Sequence, residues 1–406
     1  MGTPATAAIP GEMPHAALPL WMFLPPMLLL LGGCVSHPVA PTRMQSPEAE
    51  IADSPVVDTQ TLLDIPTLVS RIADRRVIYV GETHDRYAHH LVQLEIIRRL
   101  HARGRPLAVA MEFFQQPYQE ALDQWVAGAI GEAEMLRRTE YFTRWRFDYR
   151  LYRPILRFAR DHGIPLVALN VPREVTQAVS RKGFAGLEAA QRRWLPEHMD
   201  TSDTRYRERL EEVFSRHPPK TRERAFQHFY EAQLLWDEGM AQRLAAYLKA
   251  HPERQVIVLT GAGHVAFRRG IPNRLQRRIR VPDAVVLLGA EALVAPEVGD
   301  YVVAPTPREL PPRGLLGIFM KDTPKGVVVE DFSPKSAAQV AGLRKGDRIL
   351  TVDGRTVRDS IDLRLALLDA RPGQQVELEV ERGRGAHTER RRYTLTLGAP
   401  PRAEHR

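Results

Sequence analysis

The sequence predicts an α/β fold, with a mostly parallel β-sheet flanked by helices, followed by a small β-rich module. Short apolar runs alternate with helical patterns up to residue 290, as they do where helices join parallel strands. The five runs predicted as strands are 77–80, 107–111, 165–169, 256–259 and 285–288. Beyond residue 312 the pattern changes to short strands with one helix. A chain of 406 residues is long enough for both domains.

Charge and cysteine content narrow the functional classes. The chain has 57 basic and 49 acidic residues, a net charge of +8, and its arginine clusters are typical of a solvated surface. We therefore predict no nucleic-acid partner. A single cysteine, Cys34, excludes an internal disulfide and has to be explained by its position.

Cys34 ends an apolar N-terminal segment. Residues 18–31 are too short, and too interrupted by proline, to span a bilayer as a stable helix. The run Leu31-Gly32-Gly33-Cys34 resembles the lipobox of bacterial lipoproteins. The resemblance implies a signal peptide over residues 1–34 and lipidation of Cys34. Because Val35 replaces the aspartate that favours the inner membrane, it also implies the outer membrane of a Gram-negative envelope, facing the periplasm. The alternative is a free or buried cysteine.

The rest of the chain divides where its composition changes. Residues 35–60 are rich in Pro, Ser, Thr and Ala and suit a flexible tether. The α/β domain is predicted over residues 61–294. A proline-rich linker, 295–312, separates it from the β-rich module at 313–400.

Two similar turns follow two of the predicted strands. Gly81-Glu82-Thr83-His84 follows the first strand, and Gly261-Ala262-Gly263-His264 follows the fourth. Glu112 and Asn170 come directly after the second and third strands. In an open parallel sheet, ligands bind outside the carboxyl ends of the strands. We therefore expect His84, His264 and Glu112 to share one crevice, with Asn170 in the same pocket.

Two histidines and a carboxylate on neighbouring strand ends are typical ligands of a metal site. His84, Glu112 and His264 would be the ligands, and Glu82 would serve as a fourth ligand or as a general base. The alternative is that these histidines are structural residues held by hydrogen bonds. Spacing alone leaves both readings open.

The motifs together resemble the ChaN family of haem-binding, iron-regulated lipoproteins. The residues that carry the resemblance are the run 77–85, His89-His90, Met111-Glu112, Trp145-x-Phe147, Tyr152-x-Pro154, Leu169-Asn170-x-Pro172 and Gly261-x-Gly263-His264. The resemblance covers roughly residues 65–290. ChaN groups with the Tiki and TraB proteins, which share a pair of GxxH motifs with carboxylates. The two turns match that pair, and Glu112 matches the intervening glutamate.

The resemblance implies two functions of different class. Similarity to ChaN implies haem binding in a homodimer with paired haems, with tyrosine ligation assisted by histidine. Tyr152 is the candidate ligand because it precedes Pro154 as in the family pattern, and His84 and His264 would assist. Similarity to Tiki instead implies a metal-dependent peptidase, with Mn, Co or Zn on the histidines and Glu82 as catalytic base. The nearby aromatic residues, including Tyr141 and Tyr149, could also simply form core.

The C-terminal module resembles a PDZ domain. The resemblance rests on Gly314-Leu315-Leu316-Gly317-Ile318, Ser336-Ala337-Ala338, Ala341-Gly342-Leu343 and Gly346-Asp347-x-Ile349-Leu350-x-Val352-Asp353-Gly354. It implies that Leu316, Gly317 and Ile318 bind the terminal carboxylate of a peptide, which adds as a strand to the sheet edge. Leu363 and Leu367, on the helix 360–368, would line the groove. The alternative is a PDZ-like brace that binds nothing.

Taken together, these features predict a lipid-anchored envelope protein that binds haem or an iron complex for uptake or handling. Its PDZ module would dock a peptide C-terminus or an envelope protein. The first alternative is a metal-dependent hydrolase of the Tiki type, to which the PDZ module brings polypeptide C-termini. The second is an envelope scaffold without catalysis.

Overall fold

The computed structural model describes residues 61–215, 222–289, 297–383 and 387–400. Cys34, the predicted signal peptide 1–34 and the whole predicted tether, 35–60, lie outside the described residues. In the described part of the chain, no helix combines the length and the apolar character needed to cross a membrane.

A sheet of six parallel strands forms the first region, in the order β3-β2-β4-β1-β5-β6. The strands are β1 (Val77–Glu82), β2 (Leu107–Gln115), β3 (Leu166–Asn170), β4 (Gln255–Gly261), β5 (Asp283–Leu288) and β6 (Tyr301–Val303). The near-continuous apolar runs of β1 to β5 are buried on both faces, as expected for a parallel sheet covered by helices, whereas β6 is partly buried. The α/β prediction is confirmed.

Helices connect the strands and cover both faces of the sheet. They are α1 (Ile65–Ile72), α2 (Tyr87–His101), α3 (Gln119–Val126), α4 (Glu132–Arg138), α5 (Tyr141–Arg144), α6 (Tyr149–Asp161), α7 (Arg173–Lys182), α8 (Ala189–Arg192), α9 (Thr204–Ser215), α10 (Arg222–Ala250) and α11 (Ile271–Arg278). One core layer packs α1, α2 and α6 against the sheet. The other packs α10 and α11 against the opposite face. Side-chain caps begin some helices: Asp64 accepts from Thr67 N at 2.8 Å, and Asp148 accepts from Arg150 N.

The sixth strand lies inside the stretch predicted as a linker. Tyr301–Val303 pairs in parallel with residues 286–288 of β5. The prediction missed it because prolines on both sides mask a strand of three residues. Backbone pairing with β5, which no local pattern reveals, therefore extends the sheet into the segment 295–312.

The C-terminal region is an antiparallel sheet with the strand order β12-β11-β9-β8-β7, in which β10 pairs with β9. Its elements are β7 (Ile318–Thr323), β8 (Gly326–Phe332), α12 (Ala337–Val340), β9 (Arg348–Val352), β10 (Arg355–Thr356), α13 (Ser360–Ala366), β11 (Gln375–Arg382) and β12 (Glu389–Thr396). Its own core includes Val327, Leu343, Ile349 and Leu378. The predicted β-rich module is confirmed, and its four predicted strands fall in β8, β9, β11 and β12.

Candidate functional site

The strand order brings the two GxxH turns together. β4 lies between β1 and β2, so the carboxyl ends of these three strands are adjacent. The ring of His84 lies over Gly261: a Cβ added to that glycine would be 3.0 Å from His84 Cε1 and 3.7 Å from Glu112 Oε2. His264 Nε2 is 3.5 Å from Glu112 Oε1. The structure thus places both histidines and Glu112 at one edge of the sheet.

Each histidine is held by a carboxylate on its Nδ1 atom. His84 Nδ1 donates to Glu82 Oε1 at 2.6 Å, and His264 Nδ1 donates to Asp237 Oδ1 at 2.6 Å. Such partners fix the tautomer and the ring orientation, and they leave Nε2 as the nitrogen that faces a ligand. The two Nε2 edges therefore point toward the shared space around Glu112.

Sequence reasoning missed Asp237, which comes from the middle of helix α10 and not from a strand end. Its side chain is buried, and its second oxygen accepts from the Tyr206 hydroxyl at 2.7 Å. A carboxylate on an otherwise buried helix face, at Trp236-Asp237, was the available signal. Only the packing of α10 against the turn at His264 shows that Asp237 belongs to the site.

Glu112 is fixed from the adjacent strand. Its Oε2 accepts from Thr260 Oγ1 at 2.7 Å and from the Gly261 backbone N–H at 2.8 Å. Burial alone would raise the pKa of Glu112, but His264 and His84 hold it well below the usual range. Glu112 is therefore an anion between two imidazoles.

The neighbouring carboxylates stabilise the protonated form of both imidazoles. Burial alone would lower the pKa of His84, but the Glu82 carboxylate, helped by Glu112, outweighs burial and raises the pKa to about 9. For His264 burial is likewise outweighed, by Glu112 and Asp237, and the pKa lies well above its usual range. Near neutral pH the site is thus a chain of charges of alternating sign.

Aromatic side chains form a wall beside His84. The Trp145 ring lies 4.8 Å from the His84 ring, and the Phe147 ring lies 5.0 Å from it. The His84 side chain is still 28% exposed. An imidazole that is partly open to solvent, beside two aromatic rings, suits a flat and largely apolar ligand.

Comparison with known proteins identifies the first region. A family model described as haem-binding uptake, Tiki superfamily, ChaN matches residues 68–275, just over half of the chain. The chain belongs to the ChaN family. A second model, the PDZ domain, matches residues 314–389 and confirms the prediction for the C-terminal region.

Individual relatives agree with these matches. ChaN of Campylobacter jejuni, described as binding haem cofacially, is 19% identical with a TM-score of 0.50, over 60% of this chain and 92% of that one. At this identity the likeness shows the fold alone. RETICULATA-RELATED 5 of Arabidopsis thaliana, a chloroplastic protein, is 27% identical over 251 residues, 58% of this chain and 34% of that protein. A DegP-like periplasmic serine endoprotease of Halomonas elongata is 39% identical over 89 residues, 22% of this chain and 18% of that protein. The chain therefore spans about a third or less of these curated relatives.

Tyr152, the predicted haem ligand, lies in the core next to His84. The side chain is fully buried, and its hydroxyl donates to the His84 carbonyl at 3.2 Å. Burial raises the pKa of the Tyr152 hydroxyl well above its usual value, so without a bound metal the hydroxyl keeps its proton. The other two candidates are also buried: Tyr141 donates to the Phe147 carbonyl and Tyr149 to Glu132. These tyrosines form the core beneath the site.

Among the described residues, two buried side-chain oxygens at the carboxyl ends of strands have no hydrogen-bond partner: Glu82 Oε2 and Asn170 Oδ1. Buried polar groups in native proteins are nearly always paired with protein or ordered water. Their placement at strand ends is consistent with a site for a polar or amphipathic ligand. Asn170 ends β3, whose neighbour is β2.

The residues fit a bound metal ion less clearly. Among the described residues, no group of three or more His, Cys, Asp or Glu side chains is placed to hold one. Metal ligation would also require both histidines to lose a proton. The ligand set His84, Glu112 and His264 therefore stays a prediction. One feature favours it: each histidine has a carboxylate on Nδ1, as metal-ligating histidines usually do.

The PDZ region presents an open strand edge. Among the described residues, β7 pairs with β8 on one side and with no strand on the other. Gly317 has φ of +74°, and an added Cβ would lie 2.8 Å from Ser336 Cα, so only glycine suits this turn. Leu316 and Leu363 are buried in the PDZ core, and Ile318 and Leu367 are partly buried beside them. The predicted peptide-binding residues thus lie in one module.

Proposed function

We propose that the ChaN region binds haem at the carboxyl ends of β1, β2 and β4, with His84 as the residue nearest the iron. The observation that carries the proposal is the His84 imidazole: it is 28% exposed, its Nδ1 is held by Glu82, and two aromatic rings flank it. Family membership supports the same ligand. The predicted role of His264 becomes that of a neighbouring charged group, because its side chain is only 13% exposed.

Each residue of the site has a distinct task in this proposal. Bound haem would supply an iron centre that accepts a nitrogen or oxygen ligand. Glu82 keeps a proton on His84 Nδ1, so that Nε2 is the atom available to a ligand. Trp145 and Phe147 offer apolar contact and exclude water from one side. Glu112 attracts both the His84 and the His264 rings and offsets the repulsion between their charges.

A hemin titration followed by absorption spectroscopy tests this proposal. We expect saturable binding with a shifted Soret band, and we expect His84→Ala to change the band and weaken binding about tenfold or more. His251→Ala is the matched control, because His251 is an exposed histidine paired only loosely with Glu253, at 3.9 Å. Absence of saturable binding by the unmodified chain would overturn the proposal.

The PDZ region, in the same proposal, docks the C-terminus of a peptide or of an envelope protein. The open edge of β7 supports strand addition, and the turn at Gly317 supports carboxylate binding. Gly317→Ala should abolish peptide binding while leaving hemin binding intact. Fluorescence anisotropy with labelled C-terminal peptides measures the first effect.

A metal-dependent peptidase of the Tiki type is the second candidate. It is favoured by one observation: both histidines carry a carboxylate on Nδ1, and Glu112 lies between them. Bound Mn, Co or Zn would supply a Lewis acid, and Glu82 would act as the base. Metal analysis of protein purified without haem tests it. Retention of a metal that is lost in both His84→Ala and His264→Ala would favour this candidate.

We further propose that the protein is lipidated at Cys34 and faces the periplasm from the outer membrane. The lipobox and the absence of aspartate at Val35 support this placement. The cofacial haem binding described for Campylobacter jejuni ChaN supports a homodimer with paired haems. Labelling with radioactive palmitate, compared with Cys34→Ala, tests the anchor. Sedimentation with and without hemin tests the dimer.

A further inference from the structure

The PDZ region rests on the ChaN region through the helix that borders its peptide groove. Both regions belong to one compact unit. Helix α13 and the turn after it contribute to two cores: Leu363 and Leu367 pack in the PDZ core, whereas Ile361, Leu365 and Leu368 pack against the ChaN core. A change in the position of α13 would therefore alter the packing of both the PDZ core and the ChaN core.

Arg137, on α4, is a polar link between the regions at the start of α13, and Arg153 forms a second one to Asp369 beyond the end of the helix, at 2.7 Å. The Arg137 guanidinium donates to Asp359 and to Asp362, including a bond of 3.1 Å to Asp359 Oδ1. Asp359 is also the N-cap of α13 and accepts from the backbone N–H groups of Ile361 and Asp362. Arg137 thus holds the start of the groove helix.

Contacts continue from α13 to the histidine site. The Arg364 guanidinium lies 5.1 Å from the centre of the Phe142 ring. Phe142 contacts Tyr141, whose ring is 6.5 Å from that of Tyr152. Tyr152 donates to the His84 carbonyl. Packed rings therefore connect the PDZ helix with the backbone of His84.

The segment that carries Phe142 and Trp145 is bounded by strained backbone. Helix α5 lies between Glu140, with φ of +50°, and Arg146, with φ of +73°. Non-glycine residues rarely adopt this conformation, and such positions often mark segments that change shape. Helix α5 and Trp145, which belongs to the aromatic wall, thus lie between two residues with positive φ.

Hydrogen bonds also join the two sides of the predicted peptide groove at one end. Asp322, on β7, accepts from the Ser360 backbone N–H at 2.7 Å and from its hydroxyl at 2.6 Å. This pair joins the edge strand to the start of α13, next to the residues that bind Arg137. A peptide that enters between β7 and α13 must change this junction or bind within its limits.

We propose that peptide binding in the PDZ groove alters the histidine site, through α13, Arg137 and the aromatic wall. The inference rests on the proposed peptide docking but does not require haem. Coupling between sites is reciprocal, so a peptide that changes hemin affinity must have its own affinity changed by hemin to the same extent.

The test uses the full chain and a peptide selected from a phage-displayed library of random C-termini. The readout that needs no haem is the Trp145 indole N–H signal in NMR, assigned with Trp145→Phe. We expect saturating peptide to shift this signal in the unmodified chain. In Arg137→Gln the peptide should still bind but the shift should be lost. Arg138→Gln is the matched control, because Arg138 contacts only Glu120 and Gln124 of its own region among the hydrogen bonds and ion pairs described.

The outcomes separate this inference from the proposed function. Peptide binding without any response of Trp145, or an equal response in Arg137→Gln, overturns the inference. Failure to select any peptide removes the groove as a ligand site and overturns it together with peptide docking. If hemin does not bind, only the haem proposal fails, since Trp145 still reports coupling. If hemin binds, we expect its affinity to change about fivefold or more with peptide.

Discussion

Asp237 binds His264 across the boundary between a helix and a strand-end turn, with 2.6 Å between Oδ1 and Nδ1. On the other side of the imidazole lies Glu112, 3.5 Å from Nε2. The strand ends therefore do not form the site alone. The long helix α10 supplies the residue that orients the second histidine, and the site depends on how that helix packs.

Removing the Asp237 carboxylate should destabilise the protein. Asp237→Ala leaves the charged, buried His264 without its closest partner and leaves the Tyr206 hydroxyl unpaired, and breaking such a buried pair costs about 3–5 kcal/mol. Urea unfolding measures the loss. Glu253→Ala is the control, because that carboxylate is 52% exposed and its pairing with His251 should contribute less than about 1 kcal/mol. Equal effects of the two substitutions would contradict the prediction.

Stability should fall as the pH rises past neutrality. The pKa of His84 is raised in the folded protein, from 6.5 to about 9. Its contribution is therefore complete below pH 6.5 and is lost as the pH rises through 9. We expect the stability difference between the unmodified chain and His84→Gln to shrink by about 1–3 kcal/mol across this range. Urea unfolding at a series of pH values checks it, and a constant difference would argue against the charged histidine.

Hemin affinity should increase as the pH rises, whereas stability falls. If His84 Nε2 contacts the iron, it must first lose the proton that the carboxylates stabilise. Affinity should therefore increase between pH 7 and 9, and this increase should be absent in His84→Ala. Hemin titrations at several pH values measure both. An affinity that is independent of pH in the unmodified chain would exclude His84 as the ligand.

Tyr152→Phe should leave hemin binding nearly unchanged. The substitution removes one buried hydroxyl, and the His84 carbonyl keeps its hydrogen bond from His90 Nε2 at 3.0 Å. We expect a stability loss of about 0.5–1.5 kcal/mol and an unaltered Soret band. A lost or strongly shifted band would restore Tyr152 as the ligand and would require the site to open.

Gly261→Ala should disturb the site, whereas Gly263→Ala should not. A Cβ at position 261 would lie 3.0 Å from His84 Cε1 and 3.3 Å from Nε2, so the ring has to move. At position 263 no atom lies within 4 Å of an added Cβ. We expect hemin affinity to fall about tenfold or more only in Gly261→Ala. Similar affinities in the two variants would show that ligands do not use the His84 edge over Gly261.

Much of this architecture is readable in the local sequence. Apolar runs followed by Gly-x-x-His predict strands and turns, and parallel pairing then places the ends of β1, β2 and β4 side by side. The PDZ motif is equally local, since its glycines mark turns of defined geometry. For these features the physical determinants lie within a few residues of each other, so the sequence alone predicted the fold class and the PDZ region, and it gave the expectation that His84 and His264 lie at the same edge of the sheet.

Other features depend on contacts between distant segments, and only the tertiary structure decided them. Asp237 becomes part of the site because α10 packs beside the turn at His264, and Tyr152 becomes core because its helix buries it under His84. Residues 301–303 become a strand because β5 offers backbone partners. Burial and pairing of this kind depend on neighbours far away along the chain, and the same side chain could be ligand, core or surface until those neighbours are in place.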